Sequence, residues 1–91
     1  MAEIHVQQTN VFLRAYKKLH NNQKDAIDQA VADIVRDPVI GEAKKGDLSG
    51  MYVHKFDCVN QLFLLAHEYD LTTRVLSLVG THENFYRNLK R

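Results

Sequence analysis

The sequence of 91 residues lacks several features that define other classes of protein. It has a single cysteine, Cys58, which excludes an intramolecular disulfide and favours a reducing, cytoplasmic setting. It shows no signal-peptide pattern, and its longest apolar run, LFLLA at 62–66, is too short to cross a bilayer. Twelve Lys and Arg against eleven Asp and Glu leave a formal charge of +1. Any affinity for a polyanion must therefore come from local clusters of charge.

Motifs for metal and cofactor chemistry are also missing from the sequence. There is no cysteine pair and no His-x-x-x-His spacing that would supply zinc ligands. No glycine-rich phosphate loop follows a predicted strand. We therefore expect neither a metal nor a cofactor, and the length predicts a single domain over residues 1–91.

Hydrophobic periodicity predicts an α+β fold. A short alternating segment at 3–7 predicts a first strand, and apolar residues at helical spacing predict helices at 9–20 and 22–37. The second helix ends before Pro38, because the residue before a proline avoids helical backbone angles. The glycine- and lysine-rich segment 41–50 predicts a loop.

From residue 51 the hydrophobic period changes to two. Segments 51–57, 61–70 and 73–80 predict three strands, and their tight connections favour an antiparallel meander. Residues 81–91 predict a last short helix with Thr81 as its N-cap. The order β-α-α-β-β-β-α predicts a helical hairpin packed on one face of a twisted antiparallel sheet, with a functional cleft on the other face.

The segment GTHENFYRNLKR at 80–91 contains the main candidate for a site. At 100° per residue, His82, Phe85, Tyr86 and Leu89 share one stripe of a helix, with Phe85 and Leu89 anchoring it to the sheet. His82 can transfer a proton near neutral pH, and Tyr86 can stack on a base. The alternative is structural, with the histidine and the tyrosine capping the core, and it is the commoner arrangement for such a pattern.

A second candidate is YVHKF at 52–56. Alternation places Tyr52, His54 and Phe56 on one face of the strand and Val53 and Lys55 on the other. A lysine that borders a cleft can hold a phosphate as a point charge, although an outward, solvated lysine is more common. Further basic residues would form a phosphate footprint if the loop and the tail flank one face: Lys17, Lys18, Lys44, Lys45, Arg87, Lys90 and Arg91.

The element order and the motifs together resemble the RelE/ParE superfamily of toxins from bacterial toxin–antitoxin pairs. The motifs are FLRAYKKL on the first helix, DP closing the second, LSGMYVHKF entering the sheet, and GTHENFYRNLKR after the last strand. The resemblance covers nearly the whole chain. It implies a toxin with an acidic, partly disordered antitoxin partner, held together in a toxin–antitoxin hetero-oligomer.

For RNA-cleaving members, the resemblance implies ribosome-dependent cleavage of mRNA by attack of a ribose 2′-OH on the adjacent phosphate, without a metal. By position it implies that His82 is a general acid or base, that Tyr86 is its aromatic companion, and that Lys55 and Arg87 are cations at the phosphate. His54 is a weaker substrate-binding candidate, beside Lys44, Lys45, Lys90 and Arg91. Many ribonuclease members carry an arginine in the third strand, which NQLFLLA lacks.

Two alternatives to the ribonuclease remain open at this point. The other branch of the superfamily poisons DNA gyrase and uses no nuclease site. A non-catalytic binding module that an antitoxin neutralises is the third hypothesis.

Overall fold

Three helices and a five-stranded sheet make up residues 3–46 and 49–89, which the computed structural model describes, with side chains described up to residue 85. No helix among these residues is long and apolar enough to span a membrane. The α+β prediction is confirmed, with one additional strand inside the segment predicted as a loop. The elements in chain order are β1 His5–Gln8, α1 Asn10–Lys17, α2 Asn21–Arg36, β2 Glu42–Ala43, β3 Tyr52–Asp57, β4 Leu62–Tyr69, β5 Thr73–Thr81 and α3 His82–Leu89.

The strands lie in the order β1-β5-β4-β3-β2. β3, β4 and β5 form the predicted antiparallel meander, in which Lys55 lies opposite Leu64 and Leu64 lies opposite Gly80. β1 instead pairs parallel with β5, with His5 opposite Thr73, so the sheet is mixed and not wholly antiparallel. Parallel neighbours need a long crossover connection, and both helices of the hairpin lie within it.

Local hydrogen bonds fix the ends of α1 and α2. The hydroxyl of Thr9 accepts a hydrogen bond from the amide of Phe12 at 3.1 Å, and donates to the carbonyl of Ser77 at 2.8 Å, which ties α1 to β5. The helix α2 begins after His20, whose amide donates to Oε1 of Gln23 at 2.9 Å. It ends at Arg36, one residue before the predicted end at residue 37 and two before Pro38.

The sheet carries an apolar layer on each face. On one face, here called the α1/α2 face, the helical hairpin packs on the strands. Its buried core residues are Phe12, Ile27, Ala30, Ile34, Cys58, Phe63, Leu65, Leu76 and Val79. On the opposite face, here called the α3 face, Phe85 from α3 packs with Val53, Leu64, Ala66 and Leu78. β4 contributes to both layers, which explains its unbroken apolar run.

A β-bulge within β5 changes the face of the sheet to which its side chains point. Ala66 pairs with Leu78 and His67 pairs with Leu76, so Ser77 is an extra residue between the two pairs. Leu76 therefore packs on the α1/α2 face, whereas Leu78 packs on the α3 face, although they are two residues apart.

Two buried polar side chains tie the end of α2 to the sheet. Nε2 of His67 donates to the carbonyl of Pro38 at 2.8 Å, and burial lowers the pKa of this histidine. The guanidinium of Arg74 donates to the carbonyls of Asp70 at 2.9 Å and of Val35 at 3.4 Å. A cation at the C-terminal end of a helix is favoured, since the last carbonyls of the helix carry partial negative charge.

The short strand β2 corrects the prediction of a plain loop at 41–50. Glu42 lies opposite Val53, and the amide of Lys44 donates to the carbonyl of Met51 at 2.9 Å. Gly41 permits this pairing, because it has a φ of +99° and a Cβ built on it would lie 2.4 Å from the carbonyl oxygen of Val53. A strand of two residues has no hydrophobic period, so the sequence pattern does not reveal it.

Candidate functional site

The two main candidates from the sequence, His82 and Lys55, both lie on the α3 side of the sheet. Lys55 lies on this face because it alternates with Phe56 and lies two residues from Val53, which packs under Phe85. His82 is the first residue of α3, the helix that Phe85 holds on the same face. The prediction that Lys55 and His54 point to opposite faces agrees with these layers.

The strand register sets the spacing between the two candidates. Lys55, Leu64 and Gly80 form one row across three strands, so the Cα atoms of Lys55 and Gly80 are about 10 Å apart. His82 follows two residues after Gly80. A Cβ built on Gly80 would meet nothing within 4 Å, whereas Leu64, which lies between Gly80 and Lys55 in this row, is buried and packs with Phe85.

His82 lies at the rim of a shallow depression at the end of the sheet. The depression has a volume of about 400 Å³ and is lined by Gln61, Leu62, Thr81, His82 and Glu83. His82 is exposed, so it does not cap the core as the structural alternative expects. Phe85 is only 1% exposed, which confirms its predicted role as the anchor of α3.

The lysines of the loop differ in their surroundings. The ammonium of Lys44 forms an ion pair with Glu42 at 3.0 Å, and this hydrogen bond lowers the pKa of the carboxyl group. Lys55 adds a smaller electrostatic effect on the same carboxyl group, which places Glu42 near both lysines. Lys45 is exposed. The carboxylate therefore offsets part of the positive charge that the sequence suggests here.

His54 lies on the opposite face from Lys55. Its ring stacks on Phe56 with centroids 5.5 Å apart, and burial lowers its pKa. Its Nε2 atom is buried without a hydrogen-bond partner among the described residues. The structure does not bring His54 together with His82, so we leave it out of the site.

The other predicted site residues belong to the C-terminal segment. Tyr86 and Arg87 lie within α3, but their side chains are outside the described part of the chain. Lys90 and Arg91 also lie outside the described residues. Within residues 3–46 and 49–89, no three histidine, cysteine or acidic side chains are grouped so as to hold a metal ion.

The sequence matches the profile of the ParE-like toxins of type II bacterial toxin–antitoxin systems over residues 6–90. The chain belongs to this family. It is thus a type II toxin of the RelE/ParE superfamily, as the motifs predict. A search of curated protein sequences found no significant match.

Solved toxin structures share the fold of this ParE-like toxin. A chain of the RelBE2 toxin–antitoxin complex from Mycobacterium tuberculosis matches with a TM-score of 0.74 and 22% identity, over 89% of this toxin and 100% of that chain. A chain of the intact Escherichia coli RelBE complex matches with a TM-score of 0.69 and 15% identity, over 86% and 95%. The YoeB/ParE toxin from Agrobacterium tumefaciens matches with a TM-score of 0.67 and 15% identity, over 87% and 99%. At these identities the similarity supports the fold alone.

Four residues of the toxin that line the depression were not singled out from the sequence as site residues, and one of them, Thr81, was predicted only as an N-cap. Gln61 and Leu62 lie at the turn between β3 and β4, and Glu83 follows His82. Gln61 and Leu62 reach His82 only because Phe63 pairs with Thr81, which a sequence pattern cannot reveal. The sequence carries no signal for them. In the structure Leu62 is 45% exposed, whereas the next five residues of β4 are buried.

Proposed function

We propose that this toxin is a ribosome-dependent mRNA endoribonuclease that acts in the cytoplasm. The observation that supports this most is that the exposed His82 begins a helix that packs on the same face of the sheet as Lys55. An exposed imidazole and a flexible ammonium on one face of the sheet suit a phosphodiester of single-stranded RNA.

The reaction needs two proton transfers and one stabilised charge. The ribose 2′-oxygen forms a bond to the adjacent phosphorus and loses its proton to a base, while the bond from phosphorus to the 5′-oxygen breaks and that oxygen takes up a proton. His82 performs one of these transfers. Tyr86, four residues later in α3, is assigned by position either to the other transfer or to stacking on a base. Lys55 stabilises the negative charge that develops on the phosphate.

The remaining basic residues extend the proposed contact with RNA beyond the scissile phosphate. Lys45, Arg87, Lys90 and Arg91 are assigned to backbone phosphates on either side, where each neutralised phosphate strengthens binding. Lys44 contributes less to this contact, because its ammonium is already paired with Glu42.

The proposed partner in the resting cell is an antitoxin. The solved relatives named above include toxin–antitoxin complexes from two bacteria, which supports a hetero-oligomer for this toxin as well. An acidic, partly disordered antitoxin would cover the basic residues and be ordered on binding. Copurification from the native host tests this, and a toxin recovered without any bound protein would contradict it.

Site variants assayed on ribosomes programmed with a short mRNA test the nuclease. We expect His82→Gln to lower the cleavage rate by roughly 10²- to 10⁴-fold, the usual contribution of general acid–base catalysis. Lys55→Met is expected to lower it by roughly 10²-fold, because a fixed charge at the transition state is lost. His5→Gln and Lys24→Met are matched controls on other surfaces, and should cleave at the wild-type rate.

Thermal melting of the same preparations separates catalysis from folding. His82 is exposed, so His82→Gln should melt close to the wild-type temperature. A folded His82→Gln toxin that cleaves as fast as the wild type would remove the histidine from the mechanism.

Poisoning of DNA gyrase is the second candidate, favoured by the ParE-like description of the matching family. Expression of the toxin in bacteria discriminates the two targets. Early arrest of protein synthesis with cut mRNA supports the nuclease, whereas early arrest of replication with gyrase-linked DNA breaks supports the second candidate.

A further inference from the structure

The depression beside His82 combines an apolar side chain with groups that can form hydrogen bonds. Leu62 is 45% exposed at its floor, although leucines elsewhere in β4 are fully buried. Gln61 and Glu83, which carry polar side chains, line the same depression. A planar group that is apolar on its faces and polar on its edge suits this combination.

The two-residue turn that presents Gln61 and Leu62 holds one β-branched residue, Val59, in the left-handed region. Val59 and Asn60 both have positive φ, at 54° and 64°, and the amide of Cys58 donates to the carbonyl of Gln61 at 2.8 Å. A β-branched residue rarely occupies this region, and strained residues concentrate at functional sites. The tight turn directs the start of β4 towards the first residues of α3, where the depression lies.

We propose that this depression binds the nucleobase next to the scissile phosphate and selects bases that carry an exocyclic amino group. This inference rests on the proposed nuclease activity, because the selected base belongs to a nucleotide at the phosphate on which His82 is proposed to act. The side chain of Leu62 contacts the face of the base. The carboxylate of Glu83 accepts hydrogen bonds from the amino group, as acidic side chains do with the amino group of cytosine. Gln61 supplies one further donor and one acceptor at the edge. Uracil lacks the amino group and is disfavoured.

Ribosomes programmed with four mRNAs, which differ only in the base next to the cleaved bond, test the selection. The base on the 5′ side and the base on the 3′ side are varied in separate sets. We expect the wild type to cleave the adenine, cytosine and guanine mRNAs roughly tenfold or more faster than the uracil mRNA in one of the two sets. Glu83→Gln should reduce this ratio towards one, because the side-chain amide can turn its NH2 group to the O4 of uracil as readily as its oxygen to an amino group. Glu3→Gln, at the opposite end of the sheet, is the matched control and should keep the wild-type ratio.

The ratio separates recognition from stability, since a variant that merely unfolds more easily loses rate equally on all four mRNAs. Leu62→Ser should raise KM on every mRNA with little change in kcat, while the exposed Leu71→Ser should not. A wild type that cleaves without base preference, or a Glu83→Gln toxin that keeps the full preference, would overturn the inference and leave the nuclease intact. A wild type that cleaves no mRNA would overturn both.

Discussion

Replacement of Val59 tests the turn that carries one side of the site. Its φ of 54° places a β-branched residue in the left-handed region, where an L-residue is destabilised by about 1–2 kcal/mol. Asparagine occupies this region far more readily. Val59→Asn therefore releases strain, but it also loses the burial of a side chain that is 48% exposed, about 1 kcal/mol.

The control is Val39→Asn, because Val39 is 50% exposed and is not among the residues with positive φ. Both substitutions lose a similar burial, so the difference between their unfolding free energies isolates the strain. We expect Val59→Asn to be the more stable variant by about 1–2 kcal/mol. For a domain of this size, each 1 kcal/mol corresponds to about 4–8 °C in Tm. Equal melting temperatures for the two variants would refute the strained turn.

Three further predictions concern other parts of the toxin. Gly41→Ala should lower the free energy of unfolding, measured by urea titration, by about 2 kcal/mol, because the new Cβ would meet the carbonyl of Val53. An unchanged free energy would contradict the pairing of β2 with β3. Burial lowers the pKa of His67 in the folded state, whereas the unfolded chain protonates this histidine below its ordinary pKa of 6.5. Stability should be unaffected above that pH and fall by up to about 1.4 kcal/mol per pH unit as the pH drops from there towards the lowered folded pKa. His67→Gln should reduce this slope, and an equal slope would contradict the assignment. Phe85→Ala should remove hydrogen-exchange protection from α3 while α2 stays protected. Phe12→Ala, in the other layer, should instead lower the free energy of unfolding of the whole domain by about 3–5 kcal/mol. An equal loss of protection in α2 and α3 in both variants would show that α3 does not dock as a separate unit.

Local patterns predicted the elements and much of the core. The alternation in β3 correctly separated Val53 from His54 and Phe56, because β3 is regular and each residue follows the same period. The helical stripe of the C-terminal segment correctly identified Phe85 as an anchor, because its burial depends only on the helix lying on a sheet.

Features that depend on pairing between distant segments could not be predicted in the same way. The parallel pairing of β1 joins residues that are 68 positions apart, as His5 and Thr73 show. The ion pair between Lys44 and Glu42 accompanies a strand too short to have a period. The depression beside His82 depends on the register of β4 and β5, which the sequence leaves open.

The bulge at Ser77 shows how the register decides the site. Arg74 and Gly80 are an even number of positions apart, so strict alternation would put both residues on the same face of the sheet. Arg74 lies instead on the α1/α2 face, where it reaches the carbonyl of Val35, and Gly80 shares a row with Lys55 on the α3 face. The extra residue shifts the second half of β5 by one step, and the carbonyl of Ser77 is held there by the hydroxyl of Thr9 at 2.8 Å. Without this shift, the end of β5 would present the opposite faces, and His82 would not begin a helix on the same side of the sheet as Lys55.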